Sequence, residues 1–335
     1  MTASGSPVTA VISGIGAWVP DRVLKNNDIA KLVDTSDEWI STRTGICERH
    51  IGAENEPSSV IASNAARSAL NNAGVKAEEI DIIIVATITP DSPLPATACY
   101  VQAQIGAVNA TCFDIAAACS GFVYALDIAR QYIAAGSASR ILVIGVDKMS
   151  TIVNWEDRGT CVLFGDGAGA VIVERGTGHS KGIIAASTGS DGTQASMLYT
   201  PAGGSAMPAS IETVKNKQHY MVMDGNNVFK SAVRGMSDVM QAVLVKSGLS
   251  MDNIDFVVPH QANIRIINAI ADKLCIPSEK IVINLDRYGN TTAASIPLAL
   301  NEAVQDRRIK DGSIVLLVAF GAGFTWGASV IQWGK

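Results

Sequence analysis

Apolar positions recur along the chain in two rhythms. In short runs such as "IDIIIVAT" from Ile80 and "ILVIGV" from Ile141, nearly every position is apolar and many side chains are β-branched. Strands buried on both faces give that pattern. It predicts strands at Val8–Ile15, Asp81–Thr87, Ala110–Phe113, Arg140–Val146, Ala168–Glu174, Gly182–Thr188, Asp255–Val258, Lys280–Asn284, Ile314–Ala319 and Ala328–Gln332. The second rhythm, apolar residues three and four apart, predicts helices at Ser58–Ala73, Gly121–Ala134, Val228–Ser247, Ile264–Leu274 and Ser295–Arg307. Strands alternating with helices define an α/β fold.

The pattern also repeats. "AGVKAEEIDIIIVAT" from Ala73 resembles "SGLSMDNIDFVVPHQ" from Ser247, and "ILVIG" from Ile141 resembles "VLLVA" from Val315. Gly74 and Gly248, Asp81 and Asp255, and Ile141 and Val315 all stand 174 positions apart. One offset held over about seventy residues suggests two similar halves, 1–175 and 176–335, joined near "ERGTGHSKG" at Glu174–Gly182. The competing explanation is that βα units resemble one another anyway. The same offset carries Cys119 in "FDIAAACSGF" to Ala293 in "YGNTTAAS", so both halves place a loop at an equivalent helix start.

Composition narrows the function. The chain has 335 residues, 48% hydrophobic and only 17% charged, enough for a large core in two domains or one big one. The net charge of -5 implies no general attraction to nucleic acid or membrane. Six scattered cysteines without a C-x-x-C pair argue against a disulfide framework or a metal site. The opening residues lack the form of a signal peptide, and no apolar run reaches membrane-spanning length. A cytoplasmic setting is expected.

Four stretches carry candidate chemistry. Cys119 falls where a strand gives way to a helix, so the helix N-terminus is expected to lower its thiol pKa, with small neighbours leaving room for a substrate. A small buried core cysteine is the plainer alternative. "FVVPHQANIRII" ends a strand in His260, Gln261 and Asn263, where open α/β sheets place their sites, although a satisfied loop histidine would look the same. Asn290 in "DRYGNTTAASIP" reads equally as a site residue or a helix N-cap. "AFGAGFTWGASV" offers a glycine-rich turn whose N–H groups, around Ala322, could face an oxyanion; a simple hairpin is the alternative. "LFGDGAGAVIVE" lacks phosphate-loop spacing and reads as a strand turn.

Together, "DTSDEWISTRTGICERH", "AAACSGF", "DRGTCVLFGDGAGA", "PHQANIRI", "GNTTAASIP" and "FGAGFTWG" resemble β-ketoacyl-acyl-carrier-protein synthase III, the initiating condensing enzyme of type II fatty acid synthesis. The resemblance runs from about Val8 to Trp333. It implies a thiolase-like, five-layered αβαβα fold built from two duplicated halves, usually a homodimer. It implies that Cys119 takes an acyl group from acyl-CoA, and that His260 and Asn290 stabilise the enolate of a decarboxylated malonyl thioester. The N–H groups of Cys119 and Ala322 would form the oxyanion hole. Trp39 and Arg158 would sandwich the CoA adenine, with Arg43 near its phosphates, Thr35 close by and Asn226 on the pantetheine arm. The helix face that Trp39 and Arg43 share is their plainer reading.

Lys230, Arg265 and Lys273 would dock the acidic carrier protein, Asp272 standing where a second lysine can occur. Leu94 would reach across the dimer and limit the acyl pocket. Acyl-CoA and malonyl-carrier protein enter as substrates, and neither cofactor, metal, nucleic acid nor membrane is implied. Among relatives, asparagine in place of a second histidine argues against an elongating synthase. A thiolase needs a second catalytic cysteine near the C-terminus, and the last here is Cys275. A Cys-His-Asn enzyme of a quinolone or polyketide pathway, a silent acyl-binding subunit and a cysteine hydrolase are the remaining alternatives.

Overall fold

The computed structural model describes residues 9–176 and 182–334. Two sheets form its frame. The first runs, in spatial order, Ala10–Trp18, Asp166–Arg175, Arg140–Lys148, Ile82–Ala86 and Thr111–Ile115. The second runs Gly182–Ser190, Thr325–Gln332, Ile314–Gly321 and Phe256–Pro259. Both follow one plan: an antiparallel side made by the first and last strands of the set, then a parallel side. In the first sheet a fifth strand, Thr111–Ile115, extends the parallel side. Its counterpart in the second is a single bridge between Val257 and Ile281.

Strand side chains alternate between the two faces, so each sheet needs cover on both. Ile82, Ile84 and Ala86 face a central core with Phe122, Leu126, Ile296, Leu300, Val315 and Leu317. Ile83 and Val85 face an outer core with Ile61, Ala65 and Val101 from the helices Ser58–Ala73 and Thr97–Ile105. On the far side, Leu316 and Val318 pack under the helices Gly225–Ser247 and Ile264–Leu274. Helices, sheet, helices, sheet, helices make five layers. The middle layer holds Gly121–Ala134 and Ser295–Gln305, one from each side of the repeat.

Each middle helix is entered through the same turn. Ala118–Ser120 and Thr292–Ala294 are single 3₁₀ turns at the 174-residue offset. Their first residues, Ala118 and Thr292, adopt φ of 47° and 49°. A left-handed residue that is not glycine costs about 1–3 kcal/mol. Burying Phe122 or Ile296 just beyond returns about 1.5–3 kcal/mol, so packing can hold the turn. The turns sit against the opposite sheet through glycines: a Cβ on Gly145 would stand 2.2 Å from the Ala293 carbonyl oxygen, and one on Gly321 2.7 Å from the Cys119 nitrogen.

Most expected elements form with shifted ends: Ala10–Trp18 for the first strand, Gly225–Ser247 for the long helix, Ser295–Gln305 for the last. Val8 and part of the expected connector lie outside the described residues. Lys280–Asn284 is not a strand. Its backbone is taken by a 3₁₀ turn at Ser278–Lys280 and a helix at Leu285–Tyr288, leaving only the bridge at Ile281.

Candidate active site

Cys119 lies between two cavities. One, of about 270 Å³, is lined by Cys119, His260 and Asn290 at its base and by Trp39, Arg43, Arg158 and Arg265 toward its mouth. The other, of about 200 Å³, is lined by Cys119, Ala322, Ile88, Met149, Ile152, Leu198 and Met221. The first offers hydrogen-bond donors, the second an almost wholly apolar wall.

Cys119 is held by its surroundings rather than by its own side chain. Ser120 Oγ donates to the Thr325 carbonyl at 3.1 Å, and Thr325 Oγ1 donates to the Ala117 carbonyl at 3.0 Å. These bonds lock the Cys119 turn to the hairpin turn that carries Ala322. The hairpin reading of "AFGAGFTWGASV" holds, with Ile314–Gly321 paired to Thr325–Gln332, and its turn abuts the cysteine. Apart from the cysteine's own sulfur, the Cys119 N–H has no acceptor among the described residues.

The expectation of an acidified thiol is corrected. Burial pushes the Cys119 thiol up to about 12; the Asp147 carboxylate adds to the rise, and its own N–H opposes it. Enclosure removes the water a thiolate needs, and the helix N-terminus offsets only part of that loss. At neutral pH the resting group is a thiol.

His260 follows the strand Phe256–Pro259 and is buried. Gln261 fixes the loop, donating to the Pro259 and Val282 carbonyls at 2.7 and 3.0 Å and accepting from the Asn284 N–H at 3.0 Å. Burial lowers the His260 pKa to about 3, so the ring is neutral, as the sequence reading requires. Ser295 sets its tautomer. Ser295 Oγ accepts the Gln261 N–H at 2.9 Å and lies 2.7 Å from His260 Nδ1. The hydroxyl proton has no other acceptor among the described residues, so Ser295 donates to Nδ1 and the ring hydrogen stands on Nε2.

Asn290 is not a helix N-cap; Ala294 takes that place. Its backbone is clamped to 163–165, its N–H donating to the Leu163 carbonyl at 2.8 Å and its carbonyl accepting from Gly165 at 3.1 Å. The Thr292 N–H donates to Asn290 Oδ1 at 3.0 Å. With its oxygen engaged, the side chain presents its N–H₂ group to the cavity. Two neutral donors, His260 Nε2–H and Asn290 Nδ2–H₂, therefore share the cavity floor with the sulfur.

At the mouth, Trp39 lies under both guanidinium groups, Arg43 at 4.7 Å and Arg158 at 4.9 Å from its ring centre. Arg158 also donates to the Asp34 carbonyl at 3.0 Å. A flat ring can enter between Trp39 and Arg158 only if Arg158 swings aside. Arg265 lies over Phe229 at 5.9 Å.

The remaining expected residues stand apart from the cavities. Thr35 is half-buried, its hydroxyl without a partner, and lines neither cavity. Asn226 is exposed beside the lining Gly225, and Lys230 and Lys273 are exposed on their helices. Leu94 is 85% exposed and lines neither cavity next to Cys119. Sequence reasoning passed over Ser295 and Gly321. The first sits inside a quoted motif, where a hydroxyl opening a buried helix was the available signal; the second is meaningful only once its neighbour across the fold is known.

Comparisons with known proteins bear on the family and the fold. The family profile for 3-oxoacyl-[acyl-carrier-protein (ACP)] synthase III matches residues 113–192, and that for its C-terminal part matches 244–333. A β-ketoacyl-[acyl-carrier-protein] synthase III of Symbiobacterium thermophilum is 52% identical, covering 97% of this chain and 98% of its own. One of Caldanaerobacter subterraneus subsp. tengcongensis is 51% identical, with 98% and 99% covered. The solved 3-oxoacyl-[acyl-carrier-protein] synthase III of Aquifex aeolicus superposes at a TM-score of 0.89 with 48% identity, covering 97% of this chain and all of that one. The chain thus has the thiolase-like fold and belongs to the β-ketoacyl-[acyl-carrier-protein] synthase III family of condensing acyltransferases.

Proposed function

We propose that the protein condenses an acyl-CoA primer with malonyl-acyl-carrier protein, releasing CO₂ and giving 3-oxoacyl-carrier protein, the step that initiates type II fatty acid synthesis. The observation that carries this reading is the sulfur of Cys119 between an apolar cavity and a cavity floored by two neutral donors. A primer chain fits the first, and a thioester arriving past Trp39 fits the second.

Cys119 Sγ attacks the primer thioester carbonyl, the bond from that carbon to the CoA sulfur breaks, and the thiol proton leaves with CoA. Exchange of thiol for thiol needs no standing thiolate, which suits a buried group; the helix N-terminus stabilises the transient anion. The malonyl carboxylate then departs as CO₂, and its bonding pair becomes an enolate whose oxygen accepts from His260 Nε2–H and Asn290 Nδ2–H. The enolate carbon attacks the acyl-Cys119 carbonyl. The oxyanion formed in each acyl transfer sits on the N–H groups of Cys119 and Ala322, a kind of donor worth about 2.7–4 kcal/mol when removed. The bond to sulfur breaks, and the thiolate takes one proton from solvent. No cofactor or metal enters.

Trp39, Arg43 and Arg158 hold the CoA nucleotide, with Thr35 and Asn226 beside its path. Lys230, Arg265 and Lys273 receive the acidic carrier protein, and Asp272 weakens that attraction. Met149 and Met221 give the apolar cavity adaptable walls, suiting short or branched primers. A second copy pairs at the free edge strand Thr111–Ile115, bringing Leu94 to the partner's acyl pocket. The duplicated halves divide at 175/176. No helix of the described residues is long and apolar enough to cross a membrane. We place the enzyme in the cytoplasm, where acyl-CoA and a reduced thiol coexist. Product analysis with acyl-CoA primers tests the reading: 3-oxoacyl product from malonyl-carrier protein supports it, and product from malonyl-CoA alone supports the specialised-pathway relative instead.

A further inference from the structure

The strands Arg140–Lys148 and Ile314–Gly321 occupy matching places in the two sheets, and their ends meet the opposite half's turn. At the 174-residue offset Asp147 corresponds to Gly321. Gly321 has no side chain and leaves the Cys119 N–H open. Asp147 does the reverse: its Oδ2 accepts from the N–H of Ala293, the counterpart of Cys119, at 3.2 Å, and also from Thr292 Oγ1. Its Oδ1 accepts from the Ile88 N–H at 2.8 Å, the Thr89 N–H at 3.2 Å and the hydroxyls of Thr87 and Thr89 at 3.0 Å each. The carboxyl is fully buried between the sheets. Three of its partners are backbone N–H groups that can only donate, so both oxygens serve as acceptors.

We propose that Asp147 is a positioning residue: its carboxylate fills the second turn's anion site and, through Thr292, holds the Asn290 amide with its N–H₂ toward the cavity. The chain of contacts is short. Asp147 grips the Thr292 hydroxyl and the next N–H, and the Thr292 N–H grips Asn290 Oδ1. The grip adds to the packing that holds Thr292 in a left-handed backbone, a conformation unfavourable for a β-branched residue. An asparagine at 147 would turn an N–H₂ group onto a backbone N–H whichever way its amide lies. The proposal rests on Asn290 acting as a donor to the enolate, as in the functional reading above.

The test separates two steps, each on the full protein: acyl transfer from acyl-CoA to Cys119, read by intact mass, and CO₂ release from malonyl-carrier protein. Thr292→Val removes the hydroxyl at nearly constant shape, Thr292→Ser keeps it, and Asp147→Asn disturbs the acceptor. Misplacing a donor by a fraction of an ångström to one ångström costs up to about a hundredfold, so Thr292→Val and Asp147→Asn are expected to slow CO₂ release by about ten- to a hundredfold. Acyl transfer stays near the wild-type rate in Thr292→Val, while Asp147→Asn also changes the charge acting on Cys119, and Thr292→Ser retains both steps. If Asp147→Asn does not fold, the two Thr292 variants decide. CO₂ release near wild type in folded Thr292→Val overturns the proposal, as does an equal fall in both steps. Normal CO₂ release by Asn290→Ala overturns the functional reading beneath it, a distinct failure that the wild-type and Asn290→Ala controls reveal.

Discussion

The turn before Gly121–Ala134 and the turn before Ser295–Gln305 share a backbone but not a task. In each, a left-handed residue starts a 3₁₀ turn, and the third residue's N–H bonds back at 3.0 Å: Ser120 to the Ala117 carbonyl in one, Ala294 to the Thr291 carbonyl in the other. In each, the middle residue's N–H faces the opposite sheet. What differs is the residue the sheet presents. Gly321 leaves the first N–H open beside a sulfur, and Asp147 closes the second with a carboxylate. A turn that gathers N–H groups at a helix start attracts negative charge wherever it occurs. The fold therefore offers two such places: in the proposed mechanism one receives a transient oxyanion, and the other is filled by the Asp147 carboxyl, whose pKa burial raises against the hydrogen bonds it accepts. In that mechanism the open turn does the acyl chemistry, and the closed one supports Asn290.

Closing the open turn is the harshest way to break this comparison. A Cβ at 321 would stand 2.7 Å from the Cys119 nitrogen, and backbone at that distance must shift. Gly321→Ala is expected to slow acyl transfer about 10²–10³-fold, the cost of losing one oxyanion donor. Stopped-flow release of free CoA measures it, and near wild-type release would show that the N–H is not used.

A milder change acts on the other donor. Ser295→Ala frees His260 Nδ1 and leaves the Gln261 N–H without its acceptor. The ring is then free to hold its hydrogen on either nitrogen. CO₂ release from malonyl-carrier protein is expected to fall about tenfold, less than the roughly 10²–10³-fold cost of removing such a donor outright, because the ring can still donate in one of its tautomers. Acyl transfer is expected to be unchanged, and an equal fall in both steps would remove Ser295 from this role.

The smallest effect sharpens the picture through pH. Burial holds His260 neutral to about 3, against about 6.5 in the unfolded chain. Because the folded value is depressed, the unfolded state binds the proton first on acidification. The contribution of the neutral ring to stability is complete above about pH 6.5 and is lost as pH falls toward 3, by up to about 1.4 kcal/mol per pH unit. Urea melts across that window are expected to show the loss, which His260→Gln removes. CO₂ release is expected to show no inflection near pH 6.5, and one that His260→Gln abolishes would mean the ring titrates in the open.

Much of this was readable in the sequence, for stated reasons. The helices at Ser58–Ala73 and Ile264–Leu274 have the expected ends because local signals end them: Gly74 takes the left-handed position after one, and Asn263 caps the other by accepting from the Arg265 N–H. The 174-residue offset placed Ala293 opposite Cys119 before any coordinate, since a repeat fixes equivalent positions. The strand at Lys280–Asn284 failed because its apolar run is partly buried with a single bridge, at Ile281, and burial alone shapes composition. The thiol was misjudged because enclosure depends on residues as distant as Phe320 and Met221, while the helix start is visible locally. Asp147 ends an apolar strand as a lone carboxylate, a signal that had no meaning until Thr292 stood against it.

Peptide-resolved mass spectrometry after incubation with a short acyl-CoA tests the central claim most directly. The expected result is one acyl group, bound through sulfur, on the peptide carrying Cys119 and on no other of the six cysteines, discharged when malonyl-carrier protein is added. An adduct on Cys161 or Cys112 instead, or an acyl-Cys119 that malonyl-carrier protein leaves intact, would contradict it.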